Sequence, residues 1–249
     1  AGLDGVVRDA AGCFVDADRD GVAVGGRGSG GVGCGSSGGG SLDSGSSADA
    51  PPIVIDGDFP CRAEADGTTT AVFVNRCASP LEIRGSDIEG ATVAPGGHVC
   101  RNLGTATEVL SAKRYWGFIG EDPGGEHHTL AEFTFNTDFN DFDWYNISHV
   151  DAHNLPMQIV PLDRESCVTL TCSDPALLTD CPAVGRYTGA GDTLISCVSP
   201  DRDNANSPVA LYFESCDDAY AWSGDDQHGD DPSPVRACAG EDWAIVFCP

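Results

Sequence analysis

The segment from Leu130 to Pro161 reads LAEFTFNTDFNDFDWYNISHVDAHNLPMQIVP and places acidic side chains directly beside aromatic ones. Carboxylates usually lie in water, whereas Phe, Trp and Tyr favour burial. Two structures explain this mixture: a strand with an apolar inner face and an acidic outer face, or an acidic cleft. Strict alternation in the first residues predicts a strand whose polar face carries Glu132, with Ala131, Phe133 and Phe135 directed to the core.

The stretch NTDFNDFD, which overlaps the end of this strand, is rich in residues that form turns. Asn and Asp favour turns because their side chains bond to the nearby backbone. Asp138, Asp141 and Asp143 are therefore expected to be solvated loop carboxylates.

Composition narrows the classes of partner. The chain has 249 residues, and its formal charge is −26, with 39 acidic residues against 13 basic ones. This charge disfavours nucleic acids and anionic membrane surfaces. Uncharged polymers such as polysaccharides, and cationic partners, are compatible with it. No apolar run reaches the roughly 18 residues that a transmembrane helix needs.

The cysteines indicate the compartment. There are 12 of them, scattered along the chain, and their spacings lack the paired CxxC patterns of zinc sites. An even number of scattered cysteines favours disulfides, which form in oxidising compartments. We therefore predict a secreted or cell-surface protein.

Residues 1–52 differ in amino-acid composition from the rest of the chain. They hold 15 of the 32 glycines, many of them in a Gly/Ser tract. Such a tract buries too little apolar surface to offset its chain entropy. We predict a flexible tether over residues 1–52 and one domain over residues 53–249.

Within the tether, DADRDG (Asp16–Gly21) resembles the beginning of a calcium loop. Position twelve of such a loop is normally Glu, and here it is Arg27. Two interpretations of DADRDG are possible, a shorter calcium-binding turn and a plain polar linker, and we favour the linker. Cys13 and Cys34 are expected to pair and to close one loop of the tether.

Deleting residues 1–52 should leave the unfolding midpoint within about 2 °C of that of the full chain, since the tether has no periodic apolar face to bury. Scanning calorimetry of the two chains measures this difference. A large loss would mean that the tether packs on the domain or that DADRDG binds structural calcium. A chelator titration of the full chain then separates those two causes.

From Ile53 onward, short runs of β-branched and aromatic residues alternate with Gly- and Pro-rich turns. This pattern predicts an all-β sandwich. CSDPALLTDC is expected to hold one or two helical turns, with Asp174 before Pro175 as the start signal. SPVALYFESC is a second candidate for a short helix.

Six segments of the chain resemble motifs of the thaumatin-like protein family, and they occur in the family order. They are VFVNRC (Val72–Cys77), KRYWGF (Lys113–Phe118), TLAEFTFN (Thr129–Asn136), YNISHVDAHNLPMQIVP (Tyr145–Pro161), CDDAYAWSGDD (Cys216–Asp226) and the terminal VFCP (Val246–Pro249). The resemblance implies a thaumatin-like β-sandwich with a disulfide-rich loop and short-helix excursion beside it. It also implies an acidic cleft between the two.

The resemblance further implies a disulfide pattern, reduced relative to larger family members. The pairs carried over from the family are Cys77–Cys248, Cys167–Cys238, Cys172–Cys216 and Cys181–Cys197. Cys61 and Cys100 are left over and are expected to pair with each other.

The cleft of the family carries an arginine, a glutamate and three aspartates. Glu132 stands at the glutamate position and Asp151 at the second aspartate position, whereas Asn146 replaces the first aspartate. The arginine position falls on Phe118, with Arg114 or Lys113 as alternatives that would reach in from the same strand. The last aspartate corresponds to Asp225 or Asp226, or less favourably to Asp218.

These matches imply binding of β-1,3-glucan or a similar cell-wall polysaccharide, with absent or weak hydrolysis. In the alternative, an active endo-β-1,3-glucanase, Glu132 is the general acid and Asp151 the base or nucleophile. Tyr145 is an expected binding residue, and it is a candidate for stacking on sugar rings together with Trp144, Phe139 and Phe142.

Two further hypotheses are open. One is a non-catalytic surface protein, and the other is an inhibitor of other proteins. We expect no cofactor, because the six histidines, including His149 and His153, do not form a metal-ligand pattern on the strand and loop that the resemblance implies. We also expect a monomer.

Overall fold

The computed structural model describes residues 67–137, 142–164, 166–227 and 233–249, and the backbone of two short strands near the beginning of the chain. The chain divides into two units, Ala1–Ala50 and Pro51–Pro249. In the first unit, β1 (Val7–Arg8) pairs with β2 (Phe14–Val15) in antiparallel orientation. The DADRDG motif and the expected Cys13–Cys34 pair lie outside the described residues.

The second unit is built mainly of strands. In chain order they are β3 (Thr68–Asn75), β4 (Leu81–Gly85), β5 (Ala91–Val93), β6 (His98–Thr105), β7 (Leu110–Phe118), β8 (Leu130–Phe135), β9 (Asp143–Ser148), β10 (Ala152–His153), β11 (Met157–Pro161), β12 (Leu170–Cys172), β13 (Arg186–Thr188), β14 (Leu194–Val198), β15 (Ala219–Tyr220), β16 (Arg236–Cys238) and β17 (Asp242–Phe247). Two short α-helices, α1 (Ala176–Thr179) and α2 (Pro208–Phe213), and two 3-10 turns, Ala190–Asp192 and Asp225–Gln227, accompany them.

Two sheets form the sandwich. The five-stranded sheet has the order β12-β11-β17-β3-β6, and its central strands β17 and β3 are parallel. The seven-stranded sheet has the order β15-β9-β8-β7-β4-β5, with β16 added along β9. Residues 173–235, between β12 and β16, form the excursion, and two of its strands, β13 and β14, join β10 in a third, small sheet of order β10-β14-β13. The predicted all-β sandwich is therefore confirmed.

Aromatic rings fill the space between the two sheets. The ring of Trp243 on β17 lies 4.5 Å from that of Tyr145 on β9 and 5.4 Å from that of Phe133 on β8, measured between centroids. Phe133 and Phe135 stack at 4.9 Å. The alternation read from LAEFTFN is confirmed, because Ala131, Phe133 and Phe135 are buried on the core side.

Asp143 corrects an expectation of the sequence. Instead of being a solvated loop carboxylate, it begins β9 and is only 1% exposed. Its carboxylate accepts the backbone N–H of Asn136 at 2.8 Å and the indole N–H of Trp243 at 3.2 Å. Burial raises the pKa of Asp143 to about 7. Asp138 and Asp141 lie outside the described residues.

Disulfides hold the excursion, which has little regular structure. The four pairs implied by the resemblance are present, with Cα separations of 5.0 to 5.8 Å that suit disulfide geometry: Cys77–Cys248, Cys167–Cys238, Cys172–Cys216 and Cys181–Cys197. Cys100 is also disulfide-bonded, and its expected partner, Cys61, lies outside the described residues.

Both short helices predicted from sequence are present. Asp174 accepts the N–H of Ala176 at the beginning of α1, at 2.8 Å. Ser207 caps α2 by accepting the N–H of Ala210 at 3.1 Å, and Pro208 occupies the first turn. No helix in the described ranges has the length and hydrophobicity needed to cross a membrane.

Candidate functional site

A row of polar side chains crosses the outer face of the seven-stranded sheet. Strand register places Arg114 on β7 opposite Glu132 on β8, and Glu132 opposite Asn146 on β9. Residues that face each other across paired strands lie on the same side of a sheet. Arg114 Nε lies 3.0 Å from Oε1 of Glu132, and Asn146 Nδ2 donates a hydrogen bond of 3.1 Å to Oε2. Both oxygens of Glu132 are therefore engaged.

A second ion pair faces this row from the loops. Asp151, just after β9, bonds Arg202 of the excursion with 2.8 Å between Oδ1 and Nη1. The carboxylate of Glu126 lies 3.8 Å from the same guanidinium. The Asp151 side chain is only 10% exposed, and this burial raises its pKa although Arg202 acts in the opposite direction. The negative charges of Glu126 and, to a smaller extent, Glu132 also raise the pKa of Asp151.

These groups surround one open cavity of about 220 Å³. Its lining is mostly polar and consists of Arg114, Glu132, Asn146, Ser148, Val150, Asp151, Arg202, Tyr220 and Ser223. Burial raises the pKa of the Tyr220 phenol, with a further contribution from the charge of Asp226, so this hydroxyl is neutral at physiological pH. The cavity thus offers fixed donors, fixed acceptors and one neutral phenol.

The structure brings together three of the predicted site residues, Glu132, Asn146 and Asp151. Asp225 does not line the cavity; its carboxylate accepts the N–H of Ala221, next to Tyr220, at 2.8 Å. Asp218 is also absent from the lining.

Asp218 instead supports the base of the excursion. It accepts the N–H of Thr171 at 3.0 Å and lies 3.6 Å from Arg236. Asp218 and Asp225 thus each hold their own loop outside the cavity lining, and a binding role for them stays a prediction.

Tyr145 also differs from the expectation that it binds at the cleft. It is 1% exposed, its ring packs against Trp243, and its hydroxyl donates to the carbonyl of Val168. The reason is the phase of β9, in which Asp143, Tyr145 and Ile147 face the core. The alternate residues, Trp144 and Asn146, face outward, and Trp144 is 38% exposed.

Of the three candidates for the arginine of the family, Phe118, Arg114 and Lys113, only Arg114 is among the residues described as lining the cavity. Phe118 is 6% exposed and packs near His128, with the guanidinium of Arg84 5.7 Å from its ring centroid. An arginine at this position would bury its charge away from the cavity. Lys113 has the opposite phase on β7 and bonds Asp87.

Sequence reasoning missed Arg202, and it also missed the hydroxyl groups of Ser148, Tyr220 and Ser223. Arg202 stands in SPDRDNANSP, which reads only as a turn-rich loop. Its approach to Asp151 depends on how the excursion folds back, and no local pattern encodes that approach. The phase of β9 could have located Ser148, which is two residues beyond Asn146 on the same face.

The histidines of SHVDAH lie beneath the cleft rather than in it. His149 and His153 are fully buried, with 3.1 Å between His149 Nε2 and His153 Nδ1, and His149 packs against Phe213 of α2. Burial lowers the pKa of His149 far below its usual value and that of His153 to about 3, so both are neutral. Within the described part of the chain, no group of three or more His, Cys, Asp or Glu side chains is arranged to hold a metal ion.

The two-sheet sandwich, the disulfide-bonded excursion and the polar cleft match the architecture that the sequence resemblance implied. The thaumatin family model matches residues 120–249. The chain belongs to the thaumatin family.

Curated relatives agree with this assignment. The chain is 31% identical over 140 residues to "Pathogenesis-related thaumatin-like protein 3.7" of Cryptomeria japonica, a match that covers 51% of this chain and 56% of the relative. It is 30% identical over 141 residues to "Glucan endo-1,3-beta-glucosidase" of Prunus avium, covering 49% and 55%. The chain thus spans about half the length of these two relatives.

Among solved structures, the fold is similar to that of a GH family 64 laminaripentaose-producing β-1,3-glucanase from Paenibacillus barengoltzii complexed with laminarihexaose. The TM-score is 0.52 at 10% identity, and the match covers 79% of this chain and 78% of the other. At this identity the likeness concerns the fold alone.

Proposed function

We propose that the protein binds β-1,3-glucan or a similar uncharged cell-wall polysaccharide in the cleft, with absent or weak hydrolysis. The observation that carries the proposal is the Arg114–Glu132–Asn146 row facing the Asp151–Arg202 pair across one open cavity. The relative named as a glucan endo-1,3-β-glucosidase supports the choice of polymer.

The charge balance of the cleft favours a neutral ligand. Each of the two central carboxylates has an arginine within 3.0 Å, so the pairs leave little net charge for an ionic ligand to neutralise. Sugar hydroxyls both donate and accept hydrogen bonds, and the lining presents both kinds of partner. The formal charge of −26 repels anionic polymers.

Trp144 extends the site along β9. It lies two residues before Asn146 on the same outward face, roughly 7 Å away along the strand. An exposed indole ring offers an apolar surface for the C–H face of a pyranose. The cleft and Trp144 together therefore hold consecutive sugars of one polymer.

Hydrolysis is disfavoured by the same contacts that build the site. Cleavage of a glycosidic bond needs one carboxyl group to donate a proton and a second to act as base or nucleophile. Glu132 must leave Arg114 and Asn146 before it can act as the proton donor. Asp151 is paired with Arg202, so its carboxylate must leave the guanidinium before it can act as a base or nucleophile.

Replacing Trp144 tests the binding proposal. Trp144→Ala should weaken binding to soluble β-1,3-glucan by about tenfold in Kd, because it removes the stacking surface but no cleft hydrogen bond. Isothermal titration calorimetry measures the change. Tyr187→Ala is the matched control, since Tyr187 is equally exposed, at 39%, and does not line the cavity. If the wild type binds no β-glucan of a linkage panel, the proposed function is rejected.

Glu132→Gln separates binding from catalysis in the same experiment. In a binding protein, this variant changes Kd by only a few-fold, and reducing-sugar release is at background for both chains. Measurable release by the wild type that disappears in Glu132→Gln would instead establish the alternative, an active endo-β-1,3-glucanase.

A further inference from the structure

The outer face of the five-stranded sheet is apolar and buried. Val72 and Val74 on β3, and Ala244 and Val246 on β17, form a cluster separate from the main core, and none is more than 3% exposed. In a two-layer sandwich the outer face of each sheet meets water and carries polar side chains. A strand that is apolar and buried on both sides needs a layer on both sides. This sheet therefore has a covering layer opposite the core.

The hydrophobic residues described in this cluster do not supply that layer. The partly buried ones that pack against it are Cys100 on β6, Val160 on β11 and Leu162, which follows β11. Cys100 lies directly opposite Val72, and Val160 opposite Ala244, so they share the face that needs cover.

The disulfide of Cys100 identifies a candidate for the cover. Eight of the twelve cysteines pair among themselves, so the partner of Cys100 is Cys13, Cys34 or Cys61. Cys61 stands seven residues before Thr68, the first residue of β3. Seven residues span at most roughly 24 Å, and the path from Thr68 back to the level of Cys100 is roughly 14 Å. The chain before β3 therefore reaches Cys100 with length to spare.

We propose that residues 53–66 fold back as a strap over the outer face of the five-stranded sheet, held by a Cys61–Cys100 disulfide. The strap carries Ile53, Val54, Ile55 and Phe59, which match the apolar surface beneath. Because Cys100 lies on the covered face, a bond to Cys61 draws the residues before it across that face.

The strap has a consequence for the cleft. The polar row of the cleft lies on the outer face of the other sheet, so the two features occupy opposite sides of the sandwich. The proposed strap therefore lies away from the cleft, which stays open to a polymer. The inference concerns the sandwich itself and holds whether or not the cleft binds glucan.

Two experiments on the full chain test the linkage and the location. A peptide map without reduction should join Cys100 to Cys61, and a link to Cys13 or Cys34 would overturn the proposal. Phe59→p-benzoylphenylalanine should form photo-crosslinks to peptides of the same chain that contain β3, β6 or β17. Crosslinks that reach only the tether, or only a second copy of the chain, also overturn it.

Stability provides a third readout. The triple variant Ile53→Ser, Val54→Ser, Ile55→Ser should lower the unfolding midpoint of the full chain by about 5 °C or more. The matched control is Val22→Ser, Val24→Ser, Val32→Ser, which makes similar changes within the tether and should leave the midpoint unchanged. Equal midpoints for the two triple variants would show that residues 53–55 cover no surface.

Discussion

Lowering the pH from 7 to 5 is expected to lower the unfolding midpoint of an Asp143→Asn variant by about 5 °C more than that of the wild-type protein. Two sets of buried groups act in opposite directions over this range. Asp143 and Asp151 favour the folded state as protons are added, whereas His149 and His153 favour the unfolded state.

The carboxylates gain stability on acidification because their folded pKa values are raised. Burial brings the pKa of Asp143 from its usual 3.8 to about 7, helped by the charges of Asp163 and Glu241. Between these two values the folded state holds a proton that the unfolded state lacks. Stability therefore rises as pH falls below 7, by about 2 kcal/mol for Asp143 between pH 7 and pH 5. Asp151 contributes in the same direction.

The histidines lose stability over the same range because their folded pKa values are lowered. Burial takes the pKa of His153 from 6.5 to about 3 and lowers that of His149 well below its usual value. Their contribution is fully present above pH 6.5. It declines as pH falls, because the unfolded state accepts the protons first, by about 2 kcal/mol for His153 between pH 7 and pH 5.

The measurement is the unfolding midpoint at pH 7, 6 and 5 for the wild type, Asp143→Asn and the control Glu89→Gln, whose side chain is exposed. The comparison uses the slope with pH, since Asn also alters the hydrogen bond to Trp243 at every pH. If Asp143→Asn follows the wild-type slope, Asp143 does not hold a proton in the folded protein near neutral pH. Carbon-13 NMR of the Asp143 carboxyl group provides an independent titration.

The burial of Asp143 could not be predicted from the local sequence. NTDFNDFD has the composition of a turn, and composition is all that a local window contains. The indole N–H that receives Asp143 belongs to Trp243, 100 residues away, and becomes a partner only when β17 packs beneath β9. A polar residue with a distant partner is indistinguishable in sequence from one in water.

The alternation of apolar and polar residues predicted which face of β8 meets the core, but it did not do so for β9. LAEFTFN has aromatic residues at every second position, so Glu132 had to face away from the core. In DWYNIS, Trp144 and Tyr145 are adjacent and both aromatic, so the phase of the strand is ambiguous. The packing of Tyr145 against Trp243 resolves it, and that contact again comes from another sheet.

The sequence predicted some of the residues that line the cleft but not others. Glu132, Asn146 and Asp151 came from motif positions, and the register of β8 and β9 brings the first two together. Arg202 came from no pattern, because an excursion held by disulfides, without extended helices or strands, sets its position. Its guanidinium nevertheless makes the shortest ion pair in the described cleft, so the charge balance of the site depends on it.

Asn146→Asp should raise hydrolysis of β-1,3-glucan at least tenfold above the wild-type level while leaving Kd within a few-fold. Asn146 Nδ2 lies 3.1 Å from Glu132 Oε2, so the new carboxylate would stand beside that of Glu132. Two carboxylates about 3 Å apart cannot both ionise, and they share a proton near neutral pH. The shared proton supplies the acid form that the wild-type cleft lacks, with Asp151 left to act as the base.

Reducing-sugar release from soluble β-1,3-glucan measures the gain, with calorimetric Kd and unfolding midpoints for the same samples. Asn102→Asp is the control, because it adds the same charge at an exposed position on β6, on the other sheet. Adding Glu132→Gln to Asn146→Asp should abolish the gain, since the proton is then no longer shared between two carboxylates. If Asn146→Asp folds, binds as the wild type does and releases no more sugar, the missing carboxylate is not what limits catalysis. The chain is then a binding protein whose cleft holds the polymer through paired charges. The arginine beside each carboxylate leaves little net charge, which suits a neutral ligand, and it keeps the carboxylate from transferring a proton.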